Sequence, residues 1–223
     1  MPVMKQKVSR RAETPNRGDA PVDPTDQYHH GDLRAALIRA ADELLAEQGL
    51  EGFSLRAAAR RAGVSPAAPA HHFGDTAGLL SEVATLGFEE LARLLHITGK
   101  LTPVQKLRAQ GVGYVRFALS HPGRFQLMFH KDRVSSDHAA LQEAGARARS
   151  ELEGSIRALR GIAPGRALDA DARSELLAAW ALVHGFAHLA LDGKLSDMHD
   201  GATPDELLKR VLPKLLRDQW PDR

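Results

Sequence analysis

The sequence predicts an all-α fold, with a three-helix helix-turn-helix unit near the N-terminus and a larger helical domain after it. Three observations lead there. Alanine and leucine dominate a chain of 223 residues that is 43% hydrophobic but only 5% aromatic, a balance that favours helices over sheets. Apolar residues recur at i, i+3, i+4 and i+7 in segment after segment. No stretch alternates like a half-buried strand, and no Asn-Gly hairpin signal occurs.

Taken in order, Asp32 opens a first amphipathic helix, with Leu33, Leu37, Ala40, Ala41, Leu44 and Leu45 on one face and Gly49 as its end. Residues 53 to 73 read FSLRAAARRAGVSPAAPAHHF. Ser54 is an N-cap residue, followed by Leu55, Ala58, Ala59 and Ala62 at helical spacing, and Gly63 can take the positive φ that closes such a helix. Ser65 then suggests a second cap with Pro66 at the first helical position. Two short helices around a Gly-containing turn make a helix-turn-helix. Pro69, four residues beyond Ser65, removes a first-turn hydrogen bond, so this turn should be distorted.

Asp75 is the expected cap of a fourth helix reaching about Ile97. Thr102, Pro103 and Gln105 form a capping box for a helix ending near Ser120. His121-Pro122-Gly123 interrupts the chain before a short apolar piece. Residues 136 to 160 carry a weak apolar stripe (Leu141, Ala144, Ala148, Leu152, Ile156, Leu159) on a helix partly facing solvent. Ala170 to Asp192 is strongly apolar. Thr203, Pro204 and Glu206 form a second capping box, opening a last helix that should kink at Pro213. The expected organisation is an arm over 1–30, a helix-turn-helix unit over 31–80 and a helical domain over 81–223.

Charge narrows the function. The net charge is only +2, with an isoelectric point near 9.0, which is too mild for a general polyanion binder. Positive charge is instead local: Phe53 to Phe73 holds Arg56, Arg60, Arg61, His71 and His72 with no acid, and double-stranded DNA is the partner this suggests. A second basic cluster, Lys5, Lys7, Arg10 and Arg11, belongs either to an unstructured tail or to an arm reaching phosphates or the minor groove. Zero cysteines exclude disulfides, thiol catalysis and thiolate-bound metal. No cofactor is implied. No Gly-x-Ser-x-Gly elbow or P-loop occurs, so an enzyme is not expected. No apolar run reaches about 18 residues, so the expectation is a cytoplasmic protein without a membrane span.

The order of these elements resembles the TetR-type transcriptional regulators. The resemblance rests on the amphipathic first helix, LRAAARRAGVS, a recognition helix ending in HHF and an apolar fourth helix, and it covers about Asp32 to Leu80. HPGRFQLMF and WALVHGFAHLALDG are similar to the C-terminal domain of one subgroup, named for a Trp and a following His-Gly pair, here Trp180, His184 and Gly185. The resemblance implies an all-helical homodimeric repressor that binds operator DNA and answers to a small-molecule effector. It carries Ser54, Arg56, Ser65, Ala67, Ala68, His71, His72 and Thr76 into the DNA-binding set. His72 would meet phosphate and Phe73 would pack inward. The sequence departs from the family where Ala67 replaces a Gly, Pro69 an apolar residue, Ala70 a Tyr and Thr76 a Lys.

In the larger domain, Phe117, Phe125, Met128, Phe129, Trp180 and His184 could line a pocket for an apolar or aromatic effector, or form ordinary core. His184 and His188 share a helix face at metal-ligand spacing, but no third ligand accompanies them, so no metal site is assigned. The last two helices carry more apolar surface than they can bury against each other, which suits a four-helix interface with a second copy. The competing reading is a helical small-molecule or metal-binding protein without sequence-specific DNA binding.

Overall fold

The protein is described here by a computed structural model covering residues 24–222, and every regular element among them is helical. Helix α1 (Pro24–Gln48) begins eight residues before Asp32, so the last part of the segment expected to be an arm is helical. The basic cluster Lys5 to Arg11 lies outside the described residues. Helices α2 (Leu55–Arg61), α3 (Ala68–Phe73) and α4 (Thr76–Leu95) follow, and α1, α2, α3 and α4 pack in succession.

The local signals at the ends of these helices are realised as hydrogen bonds. Ser54 Oγ accepts from the Ala57 N–H at 3.2 Å, and Asp75 Oδ1 accepts from the Gly78 N–H at 2.8 Å. Gly63 sits at φ +72, which an L side chain would strain, and lets the chain turn out of α2.

The start of α3 departs from expectation. Ser65 does not cap it: the helix begins three residues later, its N-cap position is Ala67, and no side chain caps it. Pro69 is the cause. With no N–H, it cannot donate to the Ser65 carbonyl, which instead accepts from Ala68 at 3.1 Å in a tighter turn. The first α-type bond that follows runs from His71 N–H to the Ala67 carbonyl at 3.2 Å. Pro69 is buried, so its ring packs even as it shortens the helix.

The remaining elements are α5 (Pro103–Ser120), α6 (Pro122–Phe129), α7 (Ala139–Arg160), α8 (Ala170–Leu191) and the short α9 (Lys194–Met198). The Thr102–Gln105 capping box is closed in both directions, at 3.2 and 3.1 Å. The most extensive pairing is between α4 and α7, and Ala144, Ala148 and Ile156 of the weak stripe are buried against it. Helix α5 packs on α4, α7 and α8.

The last helix is built in three parts: α10 (Pro204–Glu206), a π-helical stretch (Leu207–Val211) and α11 (Leu212–Gln219). The Leu212 N–H reaches back five residues to the Leu207 carbonyl. This wide turn ends just before Pro213, which in a regular helix would crowd the carbonyl four residues back. It also fits the packing. Leu207, Leu212 and Leu216 are all buried, at spacings of five and four that a uniform α-helix would turn to opposite sides.

One hydrophobic cluster runs from Leu37 and Leu45 of α1 through Leu79 and Val83 of α4 to Phe125, Val183 and Leu216. Helix α4 passes straight through the expected boundary near residue 80. Helix α6 lies in close contact with both α1 and α4. A Cβ built on Gly123 of α6 would lie 2.2 Å from the Leu45 carbonyl oxygen of α1, and one on Gly87 of α4 would lie 2.5 Å from Met128 Sδ of α6. Helix α6 is thus wedged between α1 and α4. Beside that wedge, Arg124 donates from Nε and Nη2 to the Asp42 carboxylate of α1, and from Nη1 to Glu90 of α4 at 2.9 Å.

Candidate nucleic-acid interface and aromatic cluster

At the short α3, Ala67 and His71 are exposed and Ala68 and His72 half-buried. Ser54, Arg56, Ser65 and Thr76 are also exposed. These eight expected DNA-facing residues all come from the α2–turn–α3 segment and its two flanks. Phe73 is half-buried, with the Arg34 guanidinium 5.3 Å above its ring centre, a cation–π contact.

The local charge is smaller than the sequence suggests. Arg61 forms a two-pronged pair with Glu47 of α1, at 2.9 and 2.6 Å, and that hydrogen-bonded guanidinium holds the Glu47 carboxyl below its usual range. Its partner lies 14 residues upstream, beyond what helical periodicity can reveal. Arg56 and Arg60 are exposed on α2 and make no ion pair among the described residues, so they carry the uncompensated charge of this face.

Geometry also singles out a residue that sequence reasoning missed. A Cβ on Gly78, in the first turn of α4, would lie 2.0 Å from the Phe73 carbonyl oxygen. The end of α3 is therefore held against the backbone of α4 at a distance only glycine permits. The Gly itself was visible in the sequence; the approach of α3 was not.

In the larger domain the expected pocket residues are only partly brought together. Phe125, Phe129, Trp180 and His184 form one ring cluster, with Phe129 and His184 centroids 4.6 Å apart and Trp180 and His184 5.7 Å apart. Phe117 lies elsewhere, its ring against His121 at 5.2 Å, and Met128 sits against Gly87. Tyr114 and His188 complete the cluster and were not anticipated. Neither of two surface grooves, about 960 Å³ beside the last helix and about 650 Å³ near Trp220, is lined by any of these residues.

A directed hydrogen-bond chain crosses the cluster. Trp180 Nε1–H donates to Tyr114 Oη at 3.4 Å, leaving the Tyr114 hydroxyl to donate to His184 Nδ1 at 2.8 Å. With the Tyr114 hydroxyl as donor, His184 Nδ1 is the acceptor and the proton of the neutral imidazole is on Nε2. Burial pushes the Tyr114 hydroxyl well above its ordinary range. Burial, and secondarily the adjacent His188, pull His184 below the ordinary histidine value of 6.5. Among the described residues no group of three or more His, Cys, Asp or Glu is placed to hold a metal ion.

The His184 shift predicts a pH dependence. The unfolded chain binds the His184 proton more readily than the folded one, so this contribution to stability is present above about pH 6.5 and is lost as pH falls below it. Melting temperatures of wild type and His184→Gln should converge as pH is lowered from 8 to 5.5. Parallel curves would show that His184 is not the responsible group.

Trp180 is 42% exposed, Leu177 61% and Leu189 45%. A Cβ on Gly185 would meet nothing within 4 Å, so this glycine does not serve close approach within the chain. Helix α8 has the length and apolar composition to cross a membrane, but its inner side packs on α5 and α7 and its first turns carry Asp171, Arg173 and Glu175.

Comparison with known proteins agrees with this architecture. Residues 37–83 match the model for bacterial regulatory proteins of the tetR family, and residues 107–215 match the tetracyclin repressor-like C-terminal domain, a description that does not single out a Trp-His-Gly subgroup. No curated protein matches the chain. Among solved structures, a protein of unknown function from Rhodococcus sp. RHA1 is 33% identical, with 86% of this chain and 97% of that one covered and a TM-score of 0.67. The TetR family regulator PfmR from Thermus thermophilus is 19% identical over 84% and 99% of the two chains, TM-score 0.57. A tetR family regulatory protein from Rhodococcus RHA1 is 17% identical over 83% and 95%, TM-score 0.61. The last two likenesses concern the fold. With both family models matched in order on the N-terminal unit and the helical domain, this chain belongs to the TetR family and is a DNA-binding transcriptional regulator.

Proposed function

We propose that the protein is a cytoplasmic, ligand-responsive homodimeric repressor that reads operator DNA with α3 and is not an enzyme. One observation carries the coupling: α6 touches both the N-terminal unit and the ring cluster. Its Gly123 and Arg124 grip α1 and α4, while Phe125 and Phe129, one and five residues on from Arg124, pack tilted and edge-on against His184. Any ligand that parts the rings must displace α6, and α6 cannot move without loosening its hold on α1. The effector that suits the cluster is flat and largely apolar, with one acceptor for His184 Nε2–H. To move an equilibrium from 1:99 to 99:1 it must favour the non-binding state by about 10⁴-fold.

The outer face of α8 supports the dimer. Leu177, Ala178, Ala181 and Leu189 are exposed along its length, and Gly185 is half-buried between them, a stripe of small and apolar residues. Together with the outer side of the last helix it suits a four-helix contact with a second copy. A two-fold dimer places two α3 helices on successive major-groove faces, so the operator should be a near-palindrome.

Selection from random duplexes with the full chain, followed by footprinting, tests this reading. A dyad-symmetric site should be enriched, and its affinity should fall on adding the effector. An enriched site without dyad symmetry, or one bound unchanged by Ala181→Arg, would overturn the dimeric reading. Ala181→Arg should give a folded monomer by light scattering at micromolar concentration, with at least tenfold weaker operator binding; a dimer of full affinity would exclude this face of α8.

A further inference from the structure

We infer that Arg34, Glu82 and His138 form a positioning network for the recognition helix, running from α7 through α4 and α1 to Phe73. The inference rests on α3 being the helix that reads DNA. Glu82 of α4 is central. Its Oε1 accepts from Arg34 Nη2 of α1 at 2.5 Å and from His138 Nε2 at 3.0 Å. Arg34 in turn lies over the ring of Phe73, the last residue of α3. The chain of contacts thus ends one residue from His72 and two from His71.

His138 has both ring nitrogens committed. Its Nδ1 accepts from the Leu141 N–H at 3.2 Å and caps α7, so the proton resides on Nε2 and points at Glu82. The ring is therefore held in one tautomer and one orientation by two elements at once. Both His138 and Glu82 side chains are 20% exposed, so water screens this pair less than the surface pairs around it.

The segment before α7 is fastened to the same unit at two further points. Arg133 Nη2 donates to Glu51, in the loop after α1, at 2.8 Å, and the Ser135 N–H donates to Ser81 Oγ of α4, also at 2.8 Å. This strap lies apart from the α6 wedge, and it is the one that reaches α3. A network of this kind acts on specific recognition and not on the phosphate term: none of its members needs to touch DNA, but together they fix the angle at which α3 leaves α4.

The two roles of His138 can be separated. Asn in its place retains an acceptor for the α7 cap but cannot reach Glu82, whereas Ala loses both. The probe is the duplex enriched by the wild-type chain, with a scrambled duplex of equal length as the non-specific reference. His138→Asn should keep the wild-type melting temperature, lose about threefold to tenfold in specific affinity and leave scrambled-duplex binding and the salt slope unchanged. Arg34→Ala should lose about tenfold, and Arg34→Ala with His138→Asn should bind no more weakly than Arg34→Ala alone, because the path is already cut.

Multiplying losses in the double variant would overturn the network, as would wild-type affinity in His138→Asn. A salt slope lowered by about one in Arg34→Ala would make Arg34 a phosphate contact instead. His71→Ala is the control for α3. If it abolishes preference while His138→Asn does not, the network fails and α3 remains the reader; if neither changes preference, both readings fail.

Discussion

Gly78→Ala should weaken specific DNA binding by about a hundredfold, although helix propensity alone predicts a stabilising change. In an exposed helix, alanine is more stable than glycine by about 1 kcal/mol. Here the added Cβ would lie 2.0 Å from the Phe73 carbonyl oxygen and 3.1 Å from its carbon, both of them backbone. No side-chain rotation can relieve that contact. The end of α3 must move away by about 1 Å to restore an ordinary carbon–oxygen separation of ~3.2 Å. Ala68 and His71 move with it, and base-edge contacts worth about 1–3 kcal/mol each lose their geometry. Fluorescence anisotropy should show specific affinity falling by about a hundredfold, the equivalent of two such contacts, while scrambled-duplex binding persists. A variant that is more stable and binds normally would mean that α3 and α4 are not held this closely in solution.

Arg124→Ala should be the most destabilising single change outside the apolar core. Arg124 is 13% exposed and faces two carboxylates, Asp42 at 30% and Glu90 at 27%. Removing one partner of a fully buried ion pair costs about 3–5 kcal/mol, because the remaining charge is left without compensation. Both acids here are reached by water, so about 2–3 kcal/mol is expected in denaturant unfolding. Adding Asp42→Asn and Glu90→Gln removes the stranded charges and should recover part of the loss. A single-variant loss below about 0.5 kcal/mol, the range of ordinary surface changes, would show that the grip of α6 on α1 rests on Gly123 packing alone.

What the sequence disclosed is governed by distance along the chain. Ser54, Asp75, Thr102 with Gln105 and Thr203 with Glu206 all cap helices as their local patterns imply, since donor and acceptor are three residues apart. Ser65 failed for an equally local reason: Pro69 withholds the N–H that its carbonyl needed. Features set by tertiary approach were hidden. Gly78 and Gly123 read as ordinary glycines until another backbone is laid against them. Arg61 read as part of a DNA-facing charge until Glu47 was found beside it. The aromatic pocket residues were half legible, because helical spacing groups Trp180 with His184 and Phe125 with Phe129, yet says nothing of Phe117 turning towards His121. In the last helix the apolar pairs were visible, but not the five-residue step that places Leu207 and Leu212 on one side.

The placing of the two tryptophans makes the chain its own optical instrument. Trp180 stands 42% exposed at the rim of the ring cluster, with its indole N–H on Tyr114, whereas Trp220 is 8% exposed near the C-terminal end. Emission from the first depends on whether Phe129 and His184 stay stacked on it, and the second serves as an internal reference. With Trp180→Phe to separate the two signals, candidate effectors can be screened by intrinsic fluorescence, without label or DNA and before any operator has been identified.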